Sequence, residues 1–193
     1  MTRARYPEYD TLENVLLHAN TAALVADSGK IGTDIVYLTN SAACLRALVT
    51  AATSNSTNIK AIVAYECVGG VVPEDAVDDA PDMGASSFGA YFGPHVLSVE
   101  DFKKIARLPA VQFVWGDHRG VDGLSNPLTA WLEMSKYMVE VINGYGGNAE
   151  ILMLGDDAGL KGSSHIAFAD MDNDKVGELL EGLLHQKGLD GYA

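Results

Sequence analysis

The feature that most constrains the fold is an alternation of short apolar runs with longer amphipathic segments along the 193 residues. The short runs are rich in β-branched and aromatic residues on both faces, which is typical of parallel strands covered by helices on either side. Four such runs lie at 34–40, 60–66, 111–116 and 149–154. Helical patterns lie at 11–28, 42–53, 126–143 and 173–185. The alternation predicts a single α/β domain over residues 1–193, with a mainly parallel sheet of about four strands flanked by crossover helices.

Local signals mark where the first and third helical patterns begin. Asp10 and Glu13 form a capping-box pattern that opens the first helix. Asn126 followed by Pro127 is a typical pair of N-cap and first-turn residues. The run at 34–40 is apolar on both faces and is therefore interpreted as a central parallel strand.

A long excursion lies between the second and third strands, around residues 69–108. Its first part, 69–94, is rich in Gly, Pro and Asp and carries three aromatic residues, Phe88, Tyr91 and Phe92. Long irregular segments often cover a binding site, although a plain surface excursion is the alternative. The three aromatic residues are therefore predicted to form a lid over a small apolar substrate.

The acidic composition excludes several classes of partner. The 26 acidic residues exceed the 13 basic ones and give a net charge of −13, so nucleic acid and anionic lipid surfaces are not expected partners. No apolar run reaches the roughly 18 residues of a membrane span. Residues 1–10 are polar and charged, so a soluble chain with no signal peptide of its own is expected.

Cys44 and Cys67 are the two cysteines of the chain. They lack the spacing of a metal site, and buried free thiols are the favoured interpretation. A bridge between them is the alternative, because both follow strand ends that could be neighbours. Such a bridge would require an oxidising compartment.

Ligands of open α/β sheets bind beyond the carboxyl ends of the strands, so the residues that follow each strand are candidates for chemistry. These candidates are Ser41, Glu66, Asp117 and His165. Ser41 occupies a strand-to-helix corner, where its hydroxyl would project into the crevice and the next backbone N–H, of Ala42, would face an oxyanion. The alternative for Ser41 is an ordinary N-cap serine that opens the helix.

A nucleophilic serine needs a base, and the base needs an acid that orients it. His165 follows the fourth strand in a polar loop, although a loop histidine is more commonly an ordinary surface residue. Glu66 is preferred as the acid, because a carboxylate that ends an apolar strand must be paired or hydrogen-bonded. Asp117 is the alternative acid, and its simpler interpretation is a turn residue.

Several motifs together resemble a known family. The run IKAIVAYE over 59–66 with Gly-Gly at 69–70, FVWGD over 113–117, and GLKGSSH over 159–165 with DMDN over 170–173 are similar to bacterial and fungal α/β-hydrolase esterases with a Ser-Glu-His triad. The resemblance implies Ser41 as nucleophile, Glu66 as acid and His165 as base, with no metal or organic cofactor. It implies a carboxylic ester substrate and covers only the C-terminal half of the family's domain. Many members of the family are exported.

The chain departs from the family pattern in two ways. Asn40 and Ala42 stand where the family tends to have a histidine and a polar residue. The family's N-terminal strands and the loop that donates the second oxyanion N–H have no counterpart here. The strand at 34–40 would then be an unpaired edge, so we expect a second copy or a complementing N-terminal chain to cover it.

Two other functions compete with a serine carboxylesterase. A non-catalytic hydrolase remnant that serves as a binding or association module would explain the altered serine corner and the missing half. A flavodoxin-like binding module fits the alternation, but the first strand is followed by no glycine-rich phosphate loop.

Overall fold

The computed structural model describes residues 11–83, 94–117 and 127–191. Its strands are β1 (Ile35–Asn40), β2 (Ile59–Tyr65), β3 (Val71–Pro73), β4 (His95–Leu97), β5 (Ala110–Trp115) and β6 (Ala149–Met153). Its helices are α1 (Leu12–Asp27), α2 (Ala43–Thr53), α3 (Val99–Ala106), α4 (Pro127–Gly144) and α5 (Asn173–Gln186), with a short 3₁₀ helix at Ala167–Ala169.

A four-stranded parallel sheet in the order β1-β2-β5-β6 forms the centre of the described chain. This confirms the predicted fold class of a mainly parallel sheet flanked by helices. The register aligns the carboxyl ends of the strands, because Asn40 pairs with Tyr65 and Tyr65 pairs with Val114. The residues that follow β1, β2 and β5 therefore emerge at one edge.

Alternate residues of the strands face two separate hydrophobic clusters. Ile62 and Ala64 pack with helices α1 to α4 on one face, whereas Val63 and Tyr65 pack with α5 on the other. Strands that are apolar on both faces are required for this arrangement. None of the helices in the described ranges combines the length and apolarity that a bilayer crossing requires.

Strand β1 lies at the edge of the sheet among the described strands, so its predicted central position is not found within the described residues. Its sequence is nevertheless that of a buried strand. Leu38 shows the mismatch, because 54% of this large apolar side chain is exposed. An edge with such a side chain is typical of a surface that binds another chain.

Helix α1 begins one residue later than its sequence pattern indicated. Thr11 is the N-cap residue, and its hydroxyl accepts a hydrogen bond from the backbone N–H of Asn14. The predicted capping residue Asp10 and the predicted N-cap Asn126 lie outside the described residues. Threonine and aspartate compete for the same capping role, which explains the one-residue difference.

The excursion between β2 and β5 contains regular structure that the sequence pattern did not predict. Strands β3 and β4 pair in parallel, and α3 follows with Phe102 and Ile105 fully buried. Helix α3 thus provides the crossover to β5. The proposed lid residues Phe88, Tyr91 and Phe92 lie outside the described residues.

The prediction of free thiols was wrong, because Cys44 and Cys67 form a disulfide with a Cα–Cα distance of 5.3 Å. Cys44 lies in the first turn of α2, and Cys67 directly follows Glu66. The parallel register of β1 and β2 brings these two strand ends together. The spacing of the two cysteines in the sequence did not favour the disulfide, because the disulfide depends on the order of the strands in the sheet.

Candidate active site

Ser41 lies in a sharp turn between β1 and α2. Its backbone has a φ of 56°, which is unusual for a residue other than glycine and costs on the order of 1–3 kcal/mol. The turn is held by its backbone, because the N–H of Ser41 donates to the carbonyl of Tyr65 at 3.0 Å and its carbonyl accepts from Val68 at 3.2 Å. Strained positions that the surroundings hold in this way cluster at functional sites.

Ser41 does not occupy the position of an ordinary capping serine. The N-cap residue of α2 is Ala42, which has no side-chain capping bond. The carbonyl of Ser41 accepts the backbone N–H of Cys44 at 3.1 Å, as the helix begins. The backbone N–H groups that open α2, beginning with that of Ala42, therefore follow the serine directly, at the positive end of the helix dipole.

Glu66 occupies a second strained turn, at the end of β2, with a φ of 48°. Glu66 is only 2% exposed, so its carboxylate requires hydrogen-bond donors. The backbone N–H of Gly116 donates to Oε1 at 2.5 Å, and Nδ1 of His165 lies 3.4 Å from Oε2. The expected paired carboxylate at this strand end is thus present.

His165 lies in the loop after β6, and 35% of its side chain is exposed. Two carboxylates hold this loop. Asp117 Oδ1 accepts the backbone N–H of Gly162 at 2.5 Å, and Asp170 accepts both the backbone N–H and the hydroxyl of Ser164 at 2.7 Å. The alternative acid Asp117 therefore contacts the loop backbone, whereas Glu66 contacts the imidazole.

Gly116 is a site residue that the sequence argument did not identify. Besides its N–H bond to Glu66, it allows the histidine loop to approach closely, because a Cβ at this position would lie 2.5 Å from the carbonyl oxygen of Ser163. Its position at the end of the 111–116 run was the available signal. Its role depends on a backbone donor, which residue type does not reveal.

An apolar cavity of about 340 Å³ lies between β1 and α5, on the α5 face of the sheet. Leu38, Asn40, Tyr65, Phe168 and Val176 line part of it. Phe168 packs edge-on against Tyr65 with ring centroids 6.1 Å apart, and burial raises the pKa of the Tyr65 hydroxyl. The cavity continues the exposed edge of β1.

Within the three described ranges, no group of three or more His, Cys, Asp or Glu side chains is placed to hold a metal ion. Polar residues at or near the strand ends include Ser41, Glu66 and His165. The structure thus brings Glu66 and His165 into contact and places the Ser41 turn against the residue before Glu66.

Comparison with known proteins supports the fold. No family model matches the chain, and no curated protein matches it. Among solved structures, it is similar to a bacterial esterase determined at atomic resolution, with a TM-score of 0.63 and 20% sequence identity. The similarity covers 88% of this chain and 42% of the esterase chain, so the chain spans less than half the length of that protein. What the likeness shows is a shared α/β fold.

Proposed function

We propose that this chain is a serine hydrolase that acts on carboxylic esters, with Ser41 as nucleophile, His165 as base and Glu66 as the acid that orients the base. One observation carries the proposal: the buried Glu66 carboxylate faces His165 Nδ1 at 3.4 Å, directly beside the strained Ser41 turn. A buried carboxylate, an imidazole and a hydroxyl at adjoining strand ends are the components of a triad. The fold shared with a bacterial esterase adds support.

In each half of the proposed reaction, His165 takes one proton and then gives it up. With Nδ1 facing Glu66, His165 Nε2 takes the proton of the Ser41 hydroxyl as its oxygen attacks the ester carbonyl. The tetrahedral intermediate collapses to an acyl-serine, and the protonated imidazole gives its proton to the leaving alkoxide. Water then attacks the acyl carbonyl carbon while His165 Nε2 takes its proton. As the bond to the Ser41 oxygen breaks, the imidazole returns the proton to that oxygen and the carboxylic acid is released.

The backbone N–H of Ala42, at the start of α2, is the proposed oxyanion donor. Among the described residues, no second donor is assigned. Loss of one such donor typically lowers the rate by about 100- to 1000-fold. We therefore expect slow hydrolysis of a small apolar ester by this chain alone.

The exposed edge of β1 and the adjoining apolar cavity support a partner at this surface, either a second copy or a complementing N-terminal chain. Pairing would satisfy the free side of the strand and cover Leu38. Sedimentation at micromolar concentration tests the second copy: a dimer is expected, and a sharp monomer peak counts against it. The disulfide further supports an oxidising compartment.

The experiment that tests the function is covalent labelling with a fluorophosphonate probe, read by intact mass and peptide mapping. Label on Ser41 is expected in the wild-type chain and absent from Ser41→Ala. A folded chain that takes no label would favour the second candidate, a non-catalytic hydrolase remnant that associates through β1. The exposed apolar edge of β1 is the observation in favour of that candidate.

A further inference from the structure

The side-chain amide of Asn40 contacts the backbone of the two segments that carry Glu66 and His165. Asn40 is the last residue of β1 and precedes Ser41. Its Nδ2 lies 3.0 Å from the carbonyl oxygen of His165 and 3.3 Å from that of Tyr65, the residue before Glu66. We propose that Asn40 is a positioning residue, whose amide fixes the histidine loop against the ends of β1 and β2. This inference rests on the proposed function, since it assigns Asn40 a role in the same site.

The chemistry of the two contacts requires hydrogen-bond donors at this position. Both partners are carbonyl oxygens, which only accept hydrogen bonds, and one NH₂ group supplies two donors from one atom. The carbonyl of Tyr65 also accepts the backbone N–H of Ser41 at 3.0 Å. An aspartate of the same shape would lose both donors and place a carboxylate against two carbonyl oxygens.

The Asn40 contacts differ from the other bonds that hold the loop. Asp117 connects the loop to the end of β5, and Asp170 connects Ser164 to a later part of the same segment. Asn40 instead donates a hydrogen bond to the backbone of His165 itself, which is 125 residues away in the sequence. This bond connects the histidine loop to β1, the strand that leads into Ser41. Because His165 is partly exposed and its ring lies 3.4 Å from Glu66, a small shift of the loop changes that contact. Displacement of a reacting group by about 1 Å costs about 100-fold in rate.

The test compares Asn40→Ala and the isosteric Asn40→Asp with matched changes at Asn58. Asn58 is also half-buried, and its Nδ2 donates to the carbonyl of Ala26 at 2.8 Å, at the amino end of the sheet. Each pair of variants therefore removes amide-to-carbonyl bonds, but only one pair does so at the candidate site. Thermal unfolding tests whether each of the four variants is folded. If only one Asn40 variant folds, that variant alone suffices for the comparison.

The first measurement is the downfield proton NMR signal of the His165 Nδ1–H bonded to Glu66. The signal is assigned by its absence in His165→Ala, and it is independent of catalysis. We expect it in the wild-type chain and in both Asn58 variants, and its loss or displacement in both Asn40 variants. A stability effect alone would not separate the two asparagines in this way.

The second measurement is the rate of fluorophosphonate labelling at Ser41, expected to fall by about 10- to 100-fold in the Asn40 variants and to stay unchanged in the Asn58 variants. If Asn40→Ala or Asn40→Asp removes the signal but the wild-type chain takes no label, the proposed function is overturned and the positioning role is supported. An unchanged signal and labelling rate in a folded Asn40 variant would overturn the positioning role. Absence of the signal from the wild-type chain would overturn it as well.

Discussion

The disulfide between Cys44 and Cys67 gives a stability prediction whose size follows from its position in the chain. The two cysteines are 23 residues apart, and opening the bond frees a loop of that length in the unfolded state. Loop-closure entropy for a loop of this size corresponds to about 3 kcal/mol at 25 °C. With a urea dependence of about 2 kcal/mol per molar, reduction should lower the unfolding midpoint by about 1.5 M.

The assay is equilibrium unfolding in urea of the oxidised and the reduced chain, followed by a tryptophan signal from the buried Trp115 and Trp131. Both cysteines are fully buried, so a reductant reaches the bond only after unfolding. Reduction is therefore carried out in concentrated urea before dilution. The double variant Cys44→Ala/Cys67→Ala is the control, and its midpoint should not respond to reductant. Equal midpoints for the oxidised and the reduced wild-type chain would refute the reasoning.

Three further predictions concern the site and the packing around it. Glu66→Gln should lower the rate of fluorophosphonate labelling by at least about 1000-fold, because it disturbs the tautomer and charge that the base needs. Asp117→Asn keeps an acceptor for Gly162 and should retain most of the labelling rate, and the reverse order would make Asp117 the acid. Gly116→Ala should cost about 1–3 kcal/mol of stability and most of the labelling rate, because its Cβ would lie 2.5 Å from the Ser163 carbonyl oxygen. A variant with the wild-type urea midpoint and the wild-type labelling rate would contradict this contact. The pKa of Asp27 lies below its ordinary value of 3.8, since burial raises it but hydrogen bonds from Ser54, Asn55 and Ser56 outweigh that effect. Its stabilisation is therefore present above pH 3.8 and lost as the pH falls through the lower pKa of the folded state. The urea midpoints of wild type and Asp27→Asn should converge as the pH falls below 3.8, and a constant difference would exclude the linkage.

The sheet could be predicted from the sequence because each of its strands is an apolar run longer than three residues. β2 and β5 are buried along almost their whole length, so their composition alone identified them. β3 and β4 have three residues each, which is too short for a periodic pattern. Helix α3 did carry a signal, since the hydroxyl of Ser98 caps the N–H of Asp101, and the long irregular stretch before it obscured that pattern.

The candidate site could be predicted only to the level of residue type and strand end. The rule that ligands bind at carboxyl ends of parallel strands selected Ser41, Glu66, Asp117 and His165. The sequence did not reveal the positive φ of Ser41 and Glu66, because neither is a glycine. Backbone contacts and pairings that depend on strand order were equally hidden.

The most direct test of the central claim is the rate of fluorophosphonate labelling in the wild-type chain, Ser41→Ala and His165→Ala, with peptide mapping of the modified residue. The account predicts a single label on Ser41 in the wild-type chain, none in Ser41→Ala, and a rate in His165→Ala that is lower by about 1000-fold or more. Label at another residue, or a Ser41 that reacts equally fast without His165, would contradict the proposed triad.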